Sequence, residues 1–119
     1  MKKAYYARPI SIDGTPQEKR DKELIAAIGF EPYPVGEEKA TALAEYRKVG
    51  MEAFRPYVEG SDALVFRAFP DGSIGAGVAQ EIEWANAAGI PVIEVPRQIA
   101  RRTLDVAQTR AMLSELGQR

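Results

Sequence analysis

Four consecutive apolar residues, Ala63-Leu64-Val65-Phe66, stand between Asp62 and the glycine-rich stretch that opens at Pro70. A short run without polar alternation suits a central strand buried on both faces. A strand of that kind needs helices above and below it, and the flanking sequence supplies them. Ala4-Tyr5-Tyr6-Ala7 reads as a first strand ended by Pro9, whose ring cannot donate to a sheet ladder. Thr15-Pro16-Gln17-Glu18 has the form of a capping box with proline at the first helical position, opening a helix through Leu24, Ile25 and Ile28 that stops at Gly29. Phe30 to Val35 is a second strand, assigned to a sheet edge by Pro32 and Pro34. Glu37 to Val58 reads as one helix broken near Gly50, or as two. Val78, Ile82, Ala85 and Gly89 share a helical stripe, Pro91 to Val95 is the fourth strand, and Leu104 to Leu116 is a closing amphipathic helix.

Strands alternating with helices, with crossovers of this length, call for a parallel sheet covered on both faces. The expected fold is α/β, a small doubly wound parallel sheet of four to five strands, flavodoxin-like, in one domain spanning residues 1–119. In such sheets ligands lie beyond the carboxyl ends of the strands, where the strand order reverses. That places two loops at the expected site, Ala7-Arg8-Pro9-Ile10-Ser11 after the first strand and Pro70 to Gly77 after the third.

Composition limits the chemistry those loops can carry. The chain has no cysteine and no histidine, which removes thiolate nucleophiles, imidazole acid-base catalysis and nearly all transition-metal sites. Carboxylates, hydroxyls, lysine and arginine remain, and neither a metal nor a cofactor is expected. Sixteen basic against seventeen acidic residues leave no electrostatic footprint for a nucleic acid polymer. No apolar run approaches the ~18 residues of a membrane span, and Met1-Lys2-Lys3 is not followed by a signal-peptide core, so a cytoplasmic, membrane-free protein is expected.

The loop Asp71-Gly72-Ser73-Ile74-Gly75-Ala76-Gly77 runs directly into a helix. Backbone N–H groups free of side chains at a helix start can cradle a phosphate, with Ser73 adding a hydroxyl; alternatively, glycines merely permit a tight turn. One turn further on, Glu81 lies about 60° from the buried stripe and Glu83 about 140° from it, at about 100° per residue. Glu81 therefore borders the core and faces the crevice, where a partly desolvated carboxylate can act as nucleophile or base. Its alternative role is a first-turn acid complementing the helix dipole. Trp84 is assigned to packing.

Gly77-Val78-Ala79-Gln80-Glu81-Ile82-Glu83-Trp84-Ala85 followed by Gly89-Ile90-Pro91-Val92 resembles the G-T-A-x-E-x-G-x-A and G-x-P-V signature of nucleoside 2-deoxyribosyltransferases and the related 2'-deoxynucleoside 5'-monophosphate N-glycosidases. Tyr6-Ala7-Arg8-Pro9-Ile10 is similar to that superfamily's first-strand loop, and Ser73-Ile74-Gly75-Ala76-Gly77 to the phosphate loop of its N-glycosidase branch. The sequence departs from the family in three respects. Arg8 stands in place of a glycine, Gly75 in place of a base-holding aspartate, and two extra residues separate the loop from Glu81.

The resemblance implies cleavage or transfer of the N-glycosidic bond of a small-molecule nucleoside or nucleotide, with Glu81 as the nucleophile at the anomeric carbon. Tyr6 is then the candidate to orient Glu81, and Asp71 or Asp13 the candidate second acid, while Asp62, at the far end of the third strand, is structural. Ala7, Arg8, Pro9, Ile10, Ser11, Ser73, Gly75 and Gly77 are the candidate substrate contacts. The resemblance also implies a homodimer or higher homo-oligomer, which suits the surplus of Leu43, Tyr46, Val49, Met51, Phe54 and Tyr57 on the segment from Ala40 to Val58. The competing expectation is a non-catalytic nucleotide or nucleotide-sugar sensor on the same fold.

Overall fold

The computed structural model describes residues 2–96 and 103–117. Four parallel strands, β1 (Lys2–Ala7), β2 (Phe30–Tyr33), β3 (Ala63–Phe66) and β4 (Val92–Glu94), form one sheet in the order β2-β1-β3-β4. The helices are α1 (Pro16–Ala27), α2 (Gly36–Val49), α3 (Arg55–Glu59), α4 (Ala76–Ala87) and α5 (Val106–Glu115). A 3-10 turn, Gly50–Phe54, joins α2 to α3. The chain steps outward from β1 to β2 and then returns to β3 on the other side of β1, so the strand order reverses between β1 and β3, as a small doubly wound fold requires.

Side-chain alternation along the strands divides the core into two layers. Tyr5, Ala7, Leu64 and Phe66 pack with Val58, Val78, Trp84 and Ala85 on one face. Ala4, Tyr6, Ala63 and Val65 pack with Ile25 and Val95 on the other. All four residues of β3 are buried, which is why the strand contains no polar residue. Pro32 is tolerated because β2 is an edge strand, paired only with β1. Among the described residues, no helix is long and apolar enough to cross a membrane.

Two helices, α1 and α5, differ from expectation. Thr15 caps α1, accepting from the Glu18 N–H, but the Glu18 carboxylate turns to Arg8 and Lys22 instead of closing a capping box. The buried stripe of α1 runs through Asp21 and Ile25, while Leu24 and Ile28 remain exposed. α5 starts at Val106 behind a capping box of Asp105 and Gln108 and has no buried residue.

α2 stops at Gly50, whose φ of 78° and ψ of −155° lie in territory that only glycine enters readily. The turn it starts folds Met51 and Phe54 back beside α2, with the Phe54 ring stacked on Tyr46 at 5.2 Å between centroids. Gly50→Ala, strained at this φ, is expected to destabilise the fold by about 1–3 kcal/mol in a urea titration. Nothing within 4 Å would obstruct the added methyl, so the loss comes from the backbone alone.

Candidate functional site

Tyr5 and Tyr6 point to opposite faces of β1, and each finds a carboxylate. Tyr5 Oη–H donates to Glu81 Oε2, whereas Tyr6 Oη–H donates to Asp21 Oδ2. The expectation that Tyr6 orients Glu81 is therefore corrected. Strand alternation sends Tyr5, with Ala7, to the α4 face and Tyr6 to the α1 face. That periodicity is readable in the sequence, but which tyrosine shares a face with Glu81 depends on the side of the sheet that α4 covers.

Glu81 lies on the floor of a cavity of about 250 Å³. Arg8, Ile10 and Asp13 of the β1–α1 loop form one wall, and Gly77 and Val78 in the first turn of α4 form another. A third wall is one face of α2, from Lys39 through Ala42 and Leu43 to Tyr46, with Met51 and Phe54 beside it. Four of the six large side chains assigned to a partner surface, Leu43, Tyr46, Met51 and Phe54, thus line this cavity. Tyr57 packs against the core and Val49 stays exposed.

The glycine loop does not reach the cavity; only Gly77 does. Bonds among Phe69, Asp71, Gly72 and Ser73 brace its first half. Phe69 N–H donates to Ser73 O at 2.9 Å, and Gly72 N–H to Phe69 O at 2.8 Å. Asp71 Oδ1 accepts from both Ser73 N–H, at 2.9 Å, and Ser73 Oγ, at 2.6 Å. These bonds hold the fully exposed Asp71 carboxyl below its usual range, so it stays ionised. Asp71 as second acid is accordingly corrected: it is an exposed loop cap. Gly75 has a packing reason, since a Cβ there would stand 3.3 Å from the Phe69 ring. Of the other expected contacts, Arg8, Ile10 and part of Tyr6 line the cavity, whereas Ala7, Pro9, Ser11, Ser73 and Gly75 do not. Ala7 is buried in the core and Ser11 is exposed.

Asp13, the other aspartate of the expected crevice, does line the cavity, but it is held by Arg8. Arg8 Nε and Nη2 both lie 2.9 Å from Asp13 Oδ1, Nη1 donates to Tyr6 O at 3.1 Å, and Nη2 is 3.6 Å from Glu18. Asp62 accepts from Lys3 N–H at 2.8 Å, at the end of the sheet remote from the site, as a structural role requires.

Burial decides the electrostatics of the site. Glu81 is 6% exposed. Desolvation pushes its carboxyl up to about 7, against the downward pull of the Tyr5 hydrogen bond and the Arg8 charge. Tyr5 is driven well above the ordinary phenol range, first by burial and then by the charge and hydrogen bond of Glu81. Tyr5 is thus a fixed proton donor and Glu81 a carboxylate near its midpoint at neutral pH. Because the Tyr5 hydrogen bond stabilises the ionised form, Tyr5→Phe is expected to move the Glu81 titration to higher pH, while Tyr6→Phe leaves it in place. Carbon-13 NMR of carboxyl-labelled glutamate, read against pH, measures both.

On the opposite face lies a second buried cluster that sequence reasoning missed. Arg67, the first residue after β3, donates from Nε and Nη2 to the two Asp21 oxygens at 2.6 Å each, and Gln17 donates to Oδ1 at 2.8 Å. Asp21 is 1% and Arg67 8% exposed. This fork clamps α1 to the end of β3.

Compared with known proteins, the sequence matches no protein-family model and no curated protein.

Proposed function

We propose that this protein cleaves or transfers the N-glycosidic bond of a deoxynucleoside or its 5'-monophosphate, with Glu81 as the nucleophile. The observation that carries this reading is a buried carboxylate, fixed by Tyr5, on the floor of a cavity with an aromatic wall. The stacked pair Tyr46 and Phe54 suits a planar base, and the volume of about 250 Å³ suits a small organic ligand.

Glu81 Oε attacks the anomeric carbon as the C–N bond breaks, and the bonding electrons leave with the base, which takes a proton from solvent. Water, or an incoming base for transfer, then displaces the carboxylate from the glycosyl ester with a second inversion, so configuration is retained overall. Positive charge developing on the sugar ring favours ionised Glu81, so a carboxylate poorly solvated in the free protein gains most of its stabilisation in the transition state. The Tyr5 hydrogen bond holds the attacking group in one orientation. Asp13, engaged by Arg8, shapes the wall.

Chromatography of free base released from a panel of deoxynucleosides and their monophosphates tests the reading. Release by the wild-type protein should fall by about 10³-fold or more in Glu81→Ala. Thermal stabilisation by the same compounds with no release would identify a nucleotide-binding module instead.

A further inference from the structure

We infer that Lys39 is the anion-recognition residue of this cavity and that it selects a 5'-phosphorylated ligand over the neutral nucleoside. The inference rests on the proposed nucleoside chemistry for the identity of the rest of the ligand, but the argument for an anion is independent of it.

Lys39, Ala42, Leu43 and Tyr46 stand at i, i+3, i+4 and i+7, a single face of α2, and all four line the cavity. The stripe carries charge at one end only. Lys39 lies near its N-terminal end, beside Pro34, and Tyr46, stacked on Phe54, at the other. Seven residues at about 1.5 Å each separate the two by about 10 Å along the helix. That span suits a nucleoside monophosphate lying along α2, with its base on the aromatic pair, its sugar over Glu81 and its phosphate at Lys39.

The charges around the cavity point the same way. Its two cations are treated differently: Arg8 is committed to Asp13, Glu18 and a backbone carbonyl, whereas the Lys39 ammonium has no carboxylate partner among the described residues. Arg8 and Asp13 offset each other, and Glu81 is engaged by the Tyr5 hydroxyl. An ammonium at the end of the cavity with no carboxylate in contact offers an anion a direct ion pair. The loop from Asp71 to Gly75 does not line the cavity, so it does not supply that contact.

Lys39→Met keeps the side-chain length and removes the charge, and Lys39→Arg restores it. Isothermal titration with a deoxynucleoside, its 5'-monophosphate and inorganic phosphate is compared across the three proteins. The monophosphate should bind the wild type at least about tenfold more tightly than the nucleoside, lose about tenfold in Lys39→Met, and recover in Lys39→Arg, while nucleoside affinity stays within about twofold. Added salt should weaken the monophosphate in the wild type and much less in Lys39→Met. Phosphate bound only when Lys39 is cationic, with no nucleoside bound by any form, would uphold the anion site and remove the nucleoside reading. Nucleoside cleaved without any preference for the monophosphate, or equal losses of both ligands in Lys39→Met, would overturn the assignment of Lys39 and leave Glu81 untouched.

Discussion

Glu81→Gln is expected to abolish base release while making the protein more stable above neutral pH. The folded state holds the Glu81 proton up to about pH 7, whereas the unfolded chain releases it near 4.5. Between those values the unfolded state binds fewer protons, so the Glu81 contribution falls as pH rises through this window. At about 1.4 kcal/mol per pKa unit, ionising Glu81 in the folded protein costs up to about 3 kcal/mol by pH 8. Glutamine removes that cost and still accepts the Tyr5 hydrogen bond through its amide oxygen. Urea denaturation at pH 4, 6 and 8 should therefore show little difference between variant and wild type at pH 4 and a growing advantage for the variant toward pH 8. An advantage independent of pH would mean that Glu81 ionises as freely in the folded protein as in the unfolded chain. Stability gained as activity is lost is the pattern of a residue kept for chemistry rather than for folding.

The second large effect lies on the opposite face, with the reverse pH dependence. Burial pushes the Asp21 carboxyl up, but hydrogen bonds from Arg67, Tyr6 and Gln17 and the charge of Arg67 outweigh it and hold the group below its usual value. Its stabilisation is present above the unfolded value of 3.8 and lost as pH falls below that toward the depressed folded value. Arg67→Met leaves a buried carboxylate without its bidentate partner, and about 3–5 kcal/mol of stability should be lost at pH 7. Combining Arg67→Met with Asp21→Leu should restore most of it, because two apolar side chains leave no buried charge. A loss below about 1 kcal/mol in the single variant would show that water reaches Asp21 despite its burial.

The physical basis of what could be read from the sequence is local. The unbroken β3 run, the proline-marked edge strand and the alternation of strands with helices each depend on a few neighbouring residues, and together they specify the doubly wound sheet. Glu81 was legible for the same reason, since helical periodicity places it beside the buried stripe. What was not legible depends on contacts distant in the chain. Tyr5 meets Glu81 across 76 residues and Arg67 meets Asp21 across 46, and neither pairing leaves a local signal. Glycine content marks the loop from Asp71 to Gly77 in the sequence, yet at Gly75 the missing side chain leaves room for the Phe69 ring. The apolar surplus of α2 is legible in the sequence as an excess. That it lines a cavity emerges only when Gly50 turns the chain back.

The proposed covalent step is open to direct observation. A deoxynucleoside with a fluorine at the 2' position of the sugar destabilises the positively charged transition state and slows the second displacement more than the first when the leaving group is good. Incubated with the protein and followed by intact-mass and peptide-mass spectrometry, it should add the mass of the fluorinated sugar to the peptide carrying Glu81, with one equivalent of base released and no adduct in Glu81→Gln. Steady base release from ordinary deoxynucleosides with no adduct, or an adduct on a residue other than Glu81, would contradict the assignment of Glu81 as the nucleophile.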